Sequence, residues 1–131
     1  MKKLLLAAVL GLACTAAQAD WTPWFTAATG DQFFLDKSTV TRSGNIVSFW
    51  MRNDFVNPMP IGQDLFMYSN KVLAEVNCTT MQWRRTKAVS YYAPHAGGTP
   101  GPEVATPTPW SQVPAKSGLG MSIPPLCSSA K

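Results

Sequence analysis

Two cysteines in the body of this chain, Cys78 and Cys127, constrain its fold more than any other feature, because of what precedes them. Lys2 and Lys3, an apolar run from Leu4 to Ala13, and Ala17-Gln18-Ala19 before Asp20 have the form of an export signal cut after Ala19. The run is too short to span a bilayer. A chain exported this way reaches an oxidising compartment, where a remaining cysteine pair is normally bridged. A Cys78–Cys127 bond would close a loop of about 50 residues, worth roughly 4 kcal/mol in the chain-entropy description. That is a large share of the roughly 5–15 kcal/mol by which a domain is stable. Redox chemistry is not indicated, since the sequence has no Cys-x-x-Cys.

Cys14 offers a second processing route. Leu10-Gly11-Leu12-Ala13 partly resembles the segment before a lipidated cysteine, although Gly11 stands where Leu is usual, which favours the cut after Ala19. Both routes leave Cys78 and Cys127 as a pair, so cysteine arithmetic does not decide whether Cys14 carries a lipid anchor.

The 131 residues less the first 19 leave 112, the size of one domain with one core. Without Lys2 and Lys3 the basic residues fall from 11 to 9 against 7 acids, a net charge of +2. Nucleic-acid binders concentrate far more positive charge on one face, so that class is excluded. No second apolar run approaches the roughly 20 residues of a membrane-spanning helix.

Alternation then marks strands. In Asn45 to Asp54, Val47, Phe49 and Met51 fall on one face, opposite Ile46, Ser48, Trp50 and Arg52. Ser43-Gly44-Asn45 before it is turn chemistry. Gln32 to Leu35 is a short strand ending at Asp36, whose carboxylate is expected to accept backbone N–H bonds in the following turn. Trp21 to Ala27 is a first strand, with Pro23 suited to an edge. From Asn57 to Met67 the pattern fails, and Pro58, Pro60 and Gly62 predict a loop. Lys71 to Cys78 places Val72, Ala74, Val76 and Cys78 on one face, so the C-terminal segment must fold back onto that face to reach Cys78. Met81 to Tyr92 is a further strand, with Met81, Trp83, Arg85, Lys87, Val89 and Tyr91 on one side. A Pro/Gly-rich loop follows, with an edge strand near Glu103 to Thr106. Ser111 to Cys127 is the place for a helix, which Gly118, Gly120, Pro124 and Pro125 would keep short. Asn77-Cys78-Thr79 matches a glycosylation sequon, but its strand position argues against that use.

Phe34-Leu35-Asp36, Ser38, Ser43-Gly44-Asn45 and Trp50 together resemble the ordered pattern of the surface-adhesin protein E family, small exported bacterial proteins. Tyr68-Ser69, Lys71, Leu73, Glu75 and Cys78 look like its central stretch. Trp21, Trp110 ahead of Pro114 and Ser117, and Cys127 complete the set. The resemblance implies a mainly β (α+β) fold: a bent antiparallel sheet of about six strands, with a C-terminal helix tied to its concave face by the disulfide. Family helices run unbroken to the last cysteine, and Pro124-Pro125 leave open whether this segment is a short helix or irregular. The resemblance also implies adhesion to host extracellular-matrix or serum proteins.

Catalytic signatures are absent from the sequence. His95 is the one histidine, in a Pro/Gly-rich loop where it is expected to be solvated, and no Gly-x-Ser-x-Gly accompanies it. One histidine cannot supply a zinc cluster, so no metal and no cofactor is expected. Gly97-Gly98-Thr99-Pro100-Gly101 lacks the Gly-Lys-Ser/Thr ending of a phosphate loop. Binding is the better-supported class. Trp83, Arg85 and Lys87 combine the aromatic and cationic types that dominate contact hot spots. The competing reading makes Trp83 core and lets the cations snorkel along the sheet. Met59 and Phe66, in the proline loop, are a second candidate contact set. The expected function is thus a non-enzymatic, adhesin-like domain that takes a protein ligand. The alternative is a periplasmic structural or envelope-maintenance factor with no host ligand. A free strand edge would allow a homodimer, but no residue demands one.

Overall fold

In the computed structural model, which describes residues 19–131, one antiparallel sheet carries a helix on one face. Residues 1–18 of the segment expected to be an export signal, Cys14 among them, lie outside the described residues. The strands are β1 (Trp21–Thr26), β2 (Gln32–Asp36), β3 (Thr41–Ser43), β4 (Ile46–Gly62), β5 (Leu65–Asn77), β6 (Gln82–Ala93), β7 (Gly97–Val104) and β8 (Ser111–Gln112), followed by α1 (Gly118–Ser129). The continuous path is β1-β2-β4-β5-β6-β7, with β3 paired to β4 and β8 to β6. Five of the strands on this path fall where the sequence placed strands; the sixth, β7, starts at Gly97 in what the sequence read as loop and ends at Val104 rather than running from Glu103 to Thr106, and two short strands lengthen the same sheet.

The core follows from the alternation. Val47, Phe49 and Met51 of β4 lie opposite Val76, Ala74 and Val72 of β5, and all six are buried. Leu35, Val113, Ile123 and Leu126 close over them. Each of these side chains other than that of Ala74 contributes about 1.5–3 kcal/mol by leaving water. Trp24 packs edge-on against Phe49, with ring centroids 5.3 Å apart. The chain between β2 and β3 is set by Asp36, whose Oδ1 accepts from Ser38 N (3.1 Å) and Ser38 Oγ (2.5 Å).

Helix α1 forms despite its sequence. Pro124 and Pro125 withdraw two intrahelical donors, which in most helices is enough to break or kink the rod. Three contacts hold it. Gly120, Ile123 and Leu126, spaced by three, are buried against the sheet, while Met121, Pro124 and Pro125 face outward. Ser117 caps the start: its Oγ accepts from Gly120 N (3.0 Å) and donates to Pro114 O (2.7 Å). At the far end Cys127 is bonded to Cys78, and Arg42 Nη1 donates to Cys127 O (2.7 Å). The segment is therefore a helix of 12 residues that passes through Cys127.

Gly120 is required for that seat. A Cβ there would stand 2.0 Å from Pro114 O and 3.0 Å from Ala115 backbone atoms, none of which is a flexible side-chain end. Gly120→Ala should destabilise the protein by about 3 kcal/mol in thermal or urea unfolding, despite alanine's better helix propensity. A neutral or stabilising result would show that the helix start is not packed this closely.

Two further expectations change. Residues 57–67 are not a loop. β4 and β5 continue past Asp54↔Ser69, through an irregularity, into Met59↔Met67, Pro60↔Phe66 and Gly62↔Leu65. They turn at Gln63-Asp64, with Asp64 at φ +56°. A two-stranded arm leaves each strand an outer edge where the missing N–H of a proline goes unused. Second, the single face read along β6 is split. Leu73 pairs with Lys87 and Ala74 with Arg85, so Thr86 is an extra residue. This bulge reverses the alternation, placing Trp83 and Arg85 on the helix-covered face and Lys87, Val89 and Tyr91 on the open face.

Candidate functional site

The open face of the sheet carries interleaved cations and aromatic rings. Arg52 of β4 lies over Phe34 (4.2 Å to the ring centroid) and Trp21 (5.5 Å). Lys71 of β5 lies over Trp21 (5.9 Å) and Tyr91 (5.4 Å). Register places Arg52 directly opposite Lys71, a like-charge pair that would be unfavourable alone. The ring faces and Asp54 compensate. Asp54 accepts two bonds from Arg52, at 3.1 Å from Nε and 3.0 Å from Nη2, with both side chains only 10% exposed. Farther along, Arg84 pairs with Glu75 (3.3 Å) and lies 4.7 Å over Trp110. Trp21, Trp50, Lys71 and Tyr91 line a shallow cleft of about 330 Å³ with Asp36 and Glu103.

His95 joins this network. Its Nδ1 is 2.7 Å from Asp54 Oδ2, and its side chain is 70% exposed. A histidine–carboxylate pair is two-thirds of a hydrolytic triad, so the neighbouring hydroxyl decides its meaning. Ser69 Oγ donates to Ala93 O (2.7 Å) and accepts from Ala96 N (2.8 Å), and Ser69 is fully buried. It fastens the Pro94–Ala96 turn between β6 and β7. Asp54 is already held by Arg52. The geometry clamps a turn in which His95 and Ala96 both take positive φ. Among the described residues no group of His, Cys, Asp or Glu side chains is arranged to hold a metal ion.

The side chains expected from the sequence to make contacts fall in three places. Trp83 is half-buried against the core beneath α1, and Arg85 lies on the same face. Lys87 is on the open face, 3.7 Å from Glu103. Met59 and Phe66 are exposed on the arm formed by the ends of β4 and β5. They have company: Val56 (58% exposed), Ile61, Leu65 and Tyr68 are solvent-facing on the same arm. Six of the eight exposed large apolar residues among those described belong to it. Residues 55–68 contain a single charged side chain, Asp64. Exposed apolar side chains concentrated on one projection in this way mark contact sites on soluble domains. The cation–aromatic ladder was not legible from sequence, since its members come from five strands and meet only through register.

Among the described residues no helix is long and apolar enough to cross a membrane. The fold is similar to that of Haemophilus influenzae protein E, at TM-score 0.62 and 11% identity over 87% of this chain and 88% of that one. A second structure, of protein E from non-typeable Haemophilus influenzae, gives TM-score 0.62 and 11% identity over 87% and 79%. No curated protein matches the sequence significantly. The profile of the surface-adhesin protein E family matches residues 21–127, from the first residue of β1 to the bridged cysteine of α1. On that match the chain belongs to the surface-adhesin protein E family.

Proposed function

We propose that this protein is a non-enzymatic binding domain of the bacterial envelope that engages a host matrix or serum protein through the β4–β5 arm. The observation that carries the reading is the arm itself. It concentrates exposed apolar side chains on a two-stranded projection with almost no charge. Phe66 and Met59 are the anchors, an aromatic and a flexible thioether able to bury area in a partner's pocket. Trp83 packs against the core, so its loss would act through folding.

The test is binding of the purified, oxidised domain to a panel of host matrix and serum proteins by surface plasmon resonance. Phe66→Ala should weaken the interaction about thirtyfold, the cost of a hot-spot side chain, and leave the melting temperature within a degree or two. Met59→Ala should act in the same direction. Binding unchanged in the Met59→Ala/Phe66→Ala double variant would remove the arm from the contact. No binding by the wild-type domain to any of the panel would favour the periplasmic, host-independent role.

A further inference from the structure

The open face of the sheet bears chemistry that neither the arm nor the core uses. The cleft of about 330 Å³ on that face is walled by Trp21, Trp50 and Tyr91, with Asp36, Lys71 and Glu103 set among them. Its size is that of a small-molecule site. Ala19 also borders it, and the expected cut after Ala19 would widen it in the mature domain. The three rings are half-buried and come from β1, β4 and β6. Trp21 and Tyr91 share the Lys71 ammonium, at 5.9 and 5.4 Å. Trp50 has neither a cation nor a second ring against it among the described residues.

Asp36 supplies the second observation. It is only 4% exposed, and its Oδ1 is taken by Ser38 N and Ser38 Oγ. Its Oδ2 accepts from no group among the described residues, yet it is not one of the sealed, unmet side-chain oxygens. A nearly buried carboxylate with a spare, reachable oxygen is an acceptor that a ligand donor can meet. Lys71 makes no ion pair among the described residues, and Glu103 is paired with Lys87 at 3.7 Å.

These charges select the ligand. An ammonium ligand meets Lys71 on the rings it needs, and an anionic ligand meets Asp36. A neutral molecule with a flat apolar face and hydroxyls around its rim meets neither objection. A pyranose sugar has that form: its C–H face lies on an aromatic ring, and each hydroxyl both donates and accepts. We infer that the cleft binds a neutral pyranose residue of a glycan, stacked on Trp50, with one hydroxyl donating to Asp36 Oδ2 and another accepting from Lys71 Nζ. This site is separate from the arm and does not depend on it.

Titration of the isotope-labelled, oxidised domain with two neutral glycans tests it by nuclear magnetic resonance. Triacetylchitotriose represents bacterial wall sugars, and N-acetyllactosamine represents host glycoprotein sugars. The five tryptophan indole N–H signals report where the sugar sits, and residues 55–68 of the arm contribute none of them. At least one glycan should shift the Trp21 and Trp50 signals saturably and leave those of Trp24 and Trp83 in place. The tighter of the two identifies the source of the sugar. Trp50→Leu should weaken that binding about tenfold, the effect of a lost ring contact, and Trp50→Phe should weaken it less. The cationic trimer without acetyl groups should bind more weakly than triacetylchitotriose, and tighter binding would overturn the choice of a neutral ligand. No saturable shift at Trp21 and Trp50 with either glycan, or shifts confined to Trp24, Trp83 or Trp110, would overturn the site. These outcomes are read on the wild-type protein and do not depend on a variant folding.

Discussion

Replacing Cys78 and Cys127 together with alanine should lower the unfolding free energy by about 4 kcal/mol. The bridge spans 49 residues of sequence and joins the end of β5 to the last turn of α1. Its removal frees the denatured chain, and the native state then depends on α1 staying docked unaided. That helix is poorly equipped to do so. Twelve residues are marginal for an isolated helix even in favourable sequences, and two interior prolines withdraw donors from this one. What remains is the burial of Ile123 and Leu126 and the Arg42 contact to Cys127 O. Urea unfolding should show a lower midpoint and a steeper dependence on denaturant, because the uncrosslinked chain exposes more surface. A loss below about 1 kcal/mol would mean the helix is held by its packing alone.

The second large effect is expected at Arg52. Arg52→Met removes the guanidinium seated between Phe34 and Trp21 and leaves Asp54 as a buried carboxylate with only His95 beside it. Breaking a buried pair by deleting one partner costs about 3–5 kcal/mol, since the surviving charge is uncompensated. The companion change Arg84→Met, at the better-solvated pair with Glu75, should cost about 1 kcal/mol or less. The contrast between the two, measured by thermal unfolding, is the informative quantity. Equal losses would show that the Arg52–Asp54 pair is no more buried in effect than a surface contact.

How much of this was legible in the sequence depends on whether local chemistry or register decided it. Val47, Phe49 and Met51, and Val72, Ala74 and Val76, announced their strands because a half-buried sheet imposes a two-residue period on composition. Cys78 on the same face as Val76 fixed where the C-terminus had to return. Asp36 announced its turn, because an Asp ahead of Ser38 meets the local backbone wherever the rest of the chain lies. The arm was hidden by Pro58 and Pro60, which read as breakers unless one knows that a two-stranded projection has spare edges. The bulge at Thr86 has no residue signature, yet it moves Lys87 to the opposite face from Arg85. The helix through Pro124-Pro125 is a tertiary override, set by core burial and the bridge rather than by propensity. The ladder of Phe34, Arg52, Trp21, Lys71 and Tyr91 was invisible because no two of its members are near neighbours in sequence. The exposure of Met59 and Phe66 survived the misreading of their segment, since apolar side chains at a tip protrude whether the tip is a loop or a hairpin.

The central claim is that the β4–β5 arm is presented to the outside of the cell. A short epitope inserted between Gln63 and Asp64, at the tip of the arm, tests it, because a tight exposed turn tolerates insertion. Antibody staining is compared between intact and permeabilised cells, with a periplasmic marker as control. Equal staining of both, with the marker stained only after permeabilisation, is the result expected. Staining of the arm only after permeabilisation would contradict the account and place the domain on the inner side of the outer membrane.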